Sequence, residues 1–240
     1  MATLAFAPPV PDVDQRERRN FLALAALIAA TVLAGFGGYA IVGISSFAAP
    51  WWVHVHALTY VGWIALYLAQ NALVVRGDVA RHRRLGRIMA GWALWMAVVG
   101  IALLAASLRS HRAPPPIFTA PFLVTMDGLT LVGFLALVAA GLALRTRSDW
   151  HRRLMLAATV CVIQPALGRV SVLAGGFNWT GLVIAQLAIL ALAALLDWRL
   201  RGRPHPALAC GAAVIALIGI AVPRVAGMAP ATAFTQALGG

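Results

Sequence analysis

The sequence predicts an all-α integral membrane protein, a bundle of seven transmembrane helices. Hydrophobic residues make up 62% of the chain, whereas soluble domains usually contain about 45–50% apolar residues. Charged residues make up only 11%, and they cluster between apolar runs of about 20 residues, the length that crosses a bilayer as a helix. One pattern, an apolar run followed by an arginine-rich turn, also occurs three times. The lipid bilayer is therefore the expected solvent of most of the chain.

The predicted elements follow in chain order. Residues 1–20 contain prolines and three arginines, and they predict a short N-terminal tail rather than a secretory signal. One transmembrane domain is expected over residues 21–224, followed by a C-terminal tail over residues 225–240. Pro165 is expected to kink the fifth span and free a backbone carbonyl, for which Gln164 is a candidate donor. The seven predicted spans cover residues 21–44, 51–75, 85–108, 118–144, 154–173, 179–198 and 207–222.

The recurring pattern predicts three helical hairpins. The first copy, residues 56–85, and the second, residues 127–154, share Leu-Thr and Val-Gly near the start and His-Arg-Arg-Leu at the end. The third copy, residues 178–208, matches them more weakly. Since each copy enters the membrane in the same direction, the hairpins are expected to be parallel repeats, with the first span as the additional helix.

The distribution of arginine predicts the orientation. All 19 basic residues are arginine. The N-terminal tail holds three arginines, and the turns after spans two, four and six hold five, four and three. The loops on the opposite side hold two, Arg109 and Arg112. The positive-inside rule therefore places the N-terminus in the cytoplasm and the C-terminus outside, in a bacterial inner membrane with anionic headgroups near the arginines. Because these arginines flank apolar runs, the net charge of +12 does not indicate nucleic-acid binding.

Several polar residues are expected to share a layer near the outer surface. His56 lies twenty residues before Arg76, and Asp127 lies eighteen before Arg145, so both are about 27–30 Å above the arginine-rich turns. Arg169, eighteen residues past His151, is expected to reach the same level from the arginine-rich side. Ionisable groups inside spans mark functional sites by default, although an ion pair of Asp127 with Arg169 that joins spans four and five is an equally simple explanation. We therefore predict a binding site near the outer surface. Its candidate residues are His54, His56, Asp127, Arg169 and Asn178.

Two pairs of histidines are candidate ligands. His54 and His56 form a His-x-His pair, which can hold one metal ion only if the stretch is extended, because residues two apart on a helix point about 200° from each other. His82 and His151 begin the returning helices on the cytoplasmic side, where solvated interfacial side chains are expected. They are also candidates for holding a haem between helices.

The stretch RHRRLGRIMAGWALWMAVVGI, together with His56, resembles a group of poorly characterised bacterial multi-pass membrane proteins with a His-Arg-x-Leu-Gly turn between two spans. More distantly it resembles transmembrane b-type cytochromes and ferric reductases. That resemblance implies haem b bound through histidines between helices. In the dihaem cytochromes the paired histidines lie within the spans, whereas here most lie at helix ends.

Three function classes fit the sequence. The first is a metal- or haem-binding protein with a redox role, the second a non-catalytic subunit of a larger membrane complex, and the third a transporter or receptor for a small molecule. The sequence contains no nucleotide-binding glycine loop and no recognisable hydrolase or zinc-protease motif, so enzymatic activity is left open. The absence of lysine excludes a retinal Schiff base.

Overall fold

The computed structural model describes residues 13–45, 48–110 and 118–239, and of residues 238 and 239 the backbone only. The first half of the predicted tail and the loop that carries Arg112 lie outside these ranges. The described residues form nine helices and contain no strand. The helices are α1 (Val13–Ile41), α2 (Trp51–Val75), α3 (Val79–Arg109), α4 (Ala120–Ala143), α5 (Ser148–Val162), α6 (Gln164–Leu173), α7 (Trp179–Arg201), α8 (Pro206–Ala226) and α9 (Ala229–Gly239).

Length and composition identify the membrane-spanning helices. Six of them, α1, α2, α3, α4, α7 and α8, are long and apolar enough to cross a bilayer, and the bent pair α5–α6 provides a seventh candidate. Large apolar side chains such as Leu33, Leu58 and Val132 are 65–72% exposed on the outside of the bundle. A water-facing surface of this kind is not stable, so the chain is an integral membrane protein. The all-helical prediction is confirmed.

Helix α5, the first part of the bent pair, lies at the centre of the bundle. Neighbouring contacts link α1, α2, α3, α4, α8 and α7 into a closed ring, and α5 packs against α1, α4, α7 and α8 from within it. Every residue from Arg153 to Gln164 is accordingly buried. The hairpins α2–α3, α4–α5 and α7–α8 each consist of packed neighbours. Their parallel repeat stays a prediction.

The bend between α5 and α6 follows from Pro165. The two helices meet at an angle of 50°, because proline cannot donate a hydrogen bond to the carbonyl of Cys161 four residues earlier and its ring clashes with the preceding turn. The amide of Gln186 on α7 donates to the carbonyls of Cys161 and Val160 at 3.1 and 2.8 Å. The expected kink is confirmed, but Gln186 rather than Gln164 satisfies the freed carbonyl.

Gln164 instead forms hydrogen bonds with side chains of two other helices. Its side-chain oxygen accepts a hydrogen bond from the Thr130 hydroxyl at 2.9 Å, and its amide donates to the Gln186 oxygen at 3.3 Å. These bonds connect α4, α6 and α7 through buried or half-buried side chains. Polar side chains that bond between helices in this way hold membrane bundles together.

The two ends of the bundle differ in charge. The arginine-rich end contains the turns at residues 76–78, 144–147 and 202–205 together with the start of α1. The first of these turns needs only three residues because Gly77 adopts a positive φ of 75°. The opposite end carries α9, which packs against α3, α4 and α8. Residues 229–239 of the predicted C-terminal tail are therefore helical.

Candidate functional site

A cluster of buried ion pairs occupies the arginine-rich end. The guanidinium of Arg153 donates to both carboxylate oxygens of Asp197 at 2.7 and 2.6 Å, and to Glu17 at 2.5 Å. Glu17 also forms an ion pair with Arg152 at 2.7 Å and accepts a hydrogen bond from Arg201 at 2.6 Å. The side chains of Arg153, Glu17 and Asp197 are 0%, 1% and 3% exposed. The cluster therefore fixes the start of α1 to α5 and α7.

The same cluster reaches the start of α8. The backbone amide of His205 donates to Asp197 at 3.2 Å, and its side-chain Nε2 lies 3.0 Å from a carboxylate oxygen of Asp149. His205 Nδ1 accepts from the Ala207 amide at 3.2 Å, so Nε2 is the nitrogen that donates to Asp149. His205 is thus the N-cap of α8, a structural role.

A cavity of about 160 Å³ opens beside this cluster, between α1, α2, α3, α4 and α5. Its mouth lies at the exposed residues Arg18 and Ser148, and it extends inward to Trp63, which is fully buried. Its walls are mainly apolar. Phe21, Met89, Val138 and Met155 are among them. Arg152 contributes both to this wall and to the ion-pair cluster, so the cavity and the cluster share a side chain.

Several hydrogen-bonding side chains converge on the cavity. Tyr67, Gln70 and Asn71 come from one face of α2, and His82 and His151 come from the starts of α3 and α5. Tyr67 is 4% exposed, and its hydroxyl makes no hydrogen bond of acceptable geometry within the described part of the chain. The Asn71 side chain lies within hydrogen-bonding reach of the Tyr67 hydroxyl, and its amide also donates to the Tyr67 backbone carbonyl at 2.9 Å. A buried hydroxyl without a partner costs stability unless something else supplies the bond.

The rings of the two histidines lie edge to face beside each other in the lining of the cavity. Their ring centroids are 6.4 Å apart and their planes are nearly perpendicular, at 86°. His151 Nδ1 lies 2.8 Å from the Gly141 carbonyl, so this nitrogen carries the proton and Nε2 of a neutral ring is an acceptor.

Gln70 fixes the tautomer of His82. Both polar atoms of the Gln70 side chain have hydrogen-bond partners when the NH₂ group donates to His82 Nδ1 at 2.6 Å and the oxygen accepts from the Gly86 amide at 2.8 Å. His82 Nδ1 is then an acceptor, and Nε2 of the neutral ring carries the proton. These tautomers are assigned from the hydrogen-bond partners. Both rings belong to the lining of the same cavity.

The size of the cavity decides whether His82 and His151 suit a haem. An apolar cavity of about 150 Å³ holds a single benzene ring, and the cavity beside these histidines measures about 160 Å³. A haem, with four pyrrole rings, does not fit. No group of three or more His, Cys, Asp or Glu residues in the described ranges is arranged to hold a metal ion.

At the opposite end, Arg169 packs against aromatic rings. Its guanidinium carbon lies 4.1 Å from the centre of the Phe36 ring and 5.3 Å from that of Tyr39, both on α1. It also donates to the Pro165 carbonyl at 2.9 Å. Asp127 forms no ion pair with any residue that the structure describes; its interaction is electrostatic, with Tyr60. The ion pair between Asp127 and Arg169 is therefore absent.

The remaining outer residues have local contacts. His56 stacks on Tyr60 with ring centroids 4.3 Å apart and is near enough to Arg169 to interact electrostatically. His54 Nε2 lies 3.0 Å from the Ala49 carbonyl. Because Trp51–Val75 is helical, His54 and His56 point in different directions and do not face a common ion. Asn178 is the N-cap of α7, accepting from the Gly181 amide at 3.0 Å. A binding site in this layer stays a prediction.

Sequence reasoning missed Glu17, Asp197 and Tyr67. Glu17 and Asp197 are two of only seven acidic residues in a chain with 19 arginines, so their place at the ends of apolar runs was a usable signal. Trp63, Tyr67 and Gln70 are spaced by four and three residues, which places them on one helix face.

Comparison of the chain with protein-family models, with curated proteins and with solved structures finds no match.

Proposed function

We propose that this protein is a membrane receptor or carrier for a small molecule, which binds in the cavity between α1 and α5 at the arginine-rich end. The observation that carries the proposal is the cavity itself, which reaches from the exposed Arg18 to the fully buried Trp63 and is lined by the polar side chains of Tyr67, Gln70 and Asn71 among apolar ones. Apolar walls with a few convergent polar groups are typical of ligand pockets.

The proposal includes an orientation. The arginine-rich end faces the cytoplasm of a bacterial cell, in agreement with the positive-inside rule, and the ligand enters from that side past Arg18. Arginines of the turns contact anionic headgroups there. This placement makes the third function class, a transporter or receptor, the one best supported by the geometry. The redox class loses support because a haem does not fit the cavity.

A ring-sized probe tests the proposal directly. Fluorobenzene is titrated into the detergent-purified protein, and saturable binding is followed by ¹⁹F NMR. Ala90 lines the cavity, so Ala90→Phe fills it and should abolish binding. Ala65 is exposed on the lipid-facing side of α2, so Ala65→Phe adds the same side chain outside the cavity and should leave binding unchanged.

Two results would count against the proposal. The first is an absence of saturable binding to the unaltered protein. The second is equal binding to the Ala90→Phe and Ala65→Phe variants, which would show that the probe enters the micelle or another site.

A further inference from the structure

We propose that a groove between α1 and α7, at the arginine-rich end, binds the phosphate group of an anionic phospholipid. This α1–α7 groove is lined by three arginines, an asparagine and two leucines: Arg16, Arg19, Asn20, Leu196, Arg199 and Leu200. It shares no lining residue with the cavity between α1 and α5. The inference therefore goes beyond the proposed function and does not depend on it.

Both helices contribute to the groove with the same spacing. On α1 the lining residues lie at positions 16, 19 and 20, and on α7 they lie at positions 196, 199 and 200. Residues three and four apart share one face of a helix, so each helix lines the groove with a single face. The groove has a volume of about 500 Å³, a size typical of ligand sites.

The groove arginines have no counter-charge within the described part of the chain. Asp14 and Glu17 on α1 pair with Arg201 at 3.1 and 2.6 Å, and Asp197 on α7 pairs with Arg153 at 2.6 Å. The acidic residues beside the groove are thus engaged by other arginines. Three like charges that line one groove repel each other, and an anion bound among them offsets this repulsion.

The side chains of the groove favour a phosphate ester that carries an apolar part. Guanidinium groups bind phosphate oxygens through paired hydrogen bonds, and Asn20 supplies an amide that can donate further ones. Leu196 and Leu200 are half-buried and add apolar surface to the same groove. A phospholipid can cover this surface with its glycerol and acyl groups, whereas inorganic phosphate cannot.

The position of the groove agrees with the level of the lipid headgroups. Its α1 residues lie within about two turns of the start of that helix at Val13, and its α7 residues lie within about two turns of the end at Arg201. Phe21, directly after Asn20, begins the apolar run of α1. Basic pockets between membrane helices at this level bind anionic headgroups.

The lipid preference of the full-length protein in detergent tests the inference. Native mass spectrometry measures the affinities of phosphatidylglycerol, which is anionic, and of phosphatidylcholine, which is zwitterionic, with the same acyl chains on both. We expect phosphatidylglycerol to bind about ten-fold more tightly. Inorganic phosphate should displace it no better than chloride does at the same ionic strength.

Removing the charges of the groove should remove this preference. The triple variant Arg16→Gln, Arg19→Gln and Arg199→Gln should lower the ratio of phosphatidylglycerol to phosphatidylcholine affinity about ten-fold. These side chains are exposed and form no ion pair with described residues, so the thermal unfolding midpoint should stay the same.

A second triple variant at the same end is the matched control. Arg83, Arg84 and Arg87 are also exposed, on α3, but do not line the groove. Arg83→Gln, Arg84→Gln and Arg87→Gln together remove the same charge and should leave the ratio within about two-fold of its original value.

A further variant changes the charge of the groove without changing its shape. Asn20→Asp places a carboxylate among the arginines and should also lower the ratio, because the carboxylate competes with the lipid phosphate. Asn178→Asp makes the same replacement at the opposite end, where aspartate can still cap α7, and should have no effect.

Three results would overturn the inference. Equal binding of the two lipids to the unaltered protein would show that the groove does not select a charged headgroup. Equal losses in the two triple variants would show that any exposed arginine at this end serves as well. Specific displacement of the lipid by inorganic phosphate would make the groove a site for a free anion.

Discussion

The Arg153 guanidinium donates to both carboxylate oxygens of Asp197, at 2.7 and 2.6 Å, and neither side chain is more than 3% exposed. A bidentate pair of this geometry is among the stronger charge-assisted hydrogen bonds in proteins. Glu17 completes the cluster from α1 at 2.5 Å from Arg153. Burying charges is costly, so such a cluster is tolerated only when every member has its partners.

The first prediction concerns Arg153. Arg153→Met should lower the free energy of unfolding by about 3–5 kcal/mol, because it leaves Glu17 and Asp197 with fewer counter-charges in a buried site. Arg84 occupies the equivalent position in the first His-Arg-Arg-Leu copy but is exposed, so Arg84→Met is the matched control and should change stability by less than about 1 kcal/mol. Reversible unfolding in mixed micelles measures both. Equal losses for the two variants would contradict the assigned role of the cluster.

The second prediction concerns the break between α5 and α6. Gln186→Leu should cost about 1–3 kcal/mol, because it leaves the buried carbonyl of Cys161 without its donor. In a Pro165→Ala background an amide at position 165 becomes available to that carbonyl, so the cost of Gln186→Leu should shrink by about 1 kcal/mol. A double-mutant cycle measures this difference. A cost that does not depend on residue 165 would show that Gln186 acts through other contacts.

The comparison of Arg84 with Arg153 explains how far sequence reasoning extends. Apolar run lengths and arginine positions were enough to predict an all-helical membrane bundle, because they reflect the thickness of the bilayer and the cost of charges within it. The His-Arg-Arg-Leu pattern is identical at both positions. Only packing determines that one arginine is buried against Glu17 and Asp197 while the other is exposed.

The polar residues near the outer surface show what could not be predicted from the sequence. Counting residues along helices predicted a common depth for Asp127 and Arg169, but depth does not determine the direction in which a side chain points. Arg169 lies on the part of the bent pair that packs against α1, so its guanidinium meets Phe36 instead of Asp127. The bend at Pro165 was predictable, but the resulting rotation of the residues beyond it was not.

The third prediction follows from this contact. Arg169 and Phe36 should show a coupling energy of about 0.5–2 kcal/mol in a double-mutant cycle with Arg169→Met and Phe36→Leu, the range for a cation over an aromatic ring. The same cycle for Arg169→Met and Asp127→Asn should give a coupling near zero, since the two side chains form no ion pair. The sequence alone had favoured the opposite result. A larger coupling for the Asp127 pair would restore the predicted ion pair.

The fourth prediction concerns the hydrogen-bonding polarity of the cavity. At a pH where both rings are neutral, His82 should carry its proton on Nε2 and His151 on Nδ1, because Gln70 donates to one ring and Gly141 accepts from the other. Long-range ¹H–¹⁵N spectra of histidine-labelled protein distinguish the two tautomers. Gln70→Leu removes the donor to His82 and should mix its tautomers, whereas the spectrum of His151 should stay unchanged. Identical tautomers at the two positions would contradict the hydrogen-bond partners assigned to the two Nδ1 atoms.

The last prediction concerns orientation. The start of α1 is joined to the arginine-rich turns by the ion pairs of Glu17 with Arg152, Arg153 and Arg201, so the N-terminal end of α1 and these turns share one side of the membrane. With α5–α6 crossing as a single bent span, the chain crosses seven times and α9 lies on the other side.

An alkaline phosphatase fused after residue 240 should therefore be active in bacterial cells, because that enzyme requires an oxidising compartment to form its disulfides. A green fluorescent protein fused at the same point and exported by the general secretory route should remain dark. A matched fusion within the turn at residues 202–205, which the positive-inside rule predicts to be cytoplasmic, should give the reverse pair of signals. The reverse result at both positions would mean that the topology is inverted or that the bent pair does not cross, whereas cytoplasmic signals at both would show that α8 does not cross.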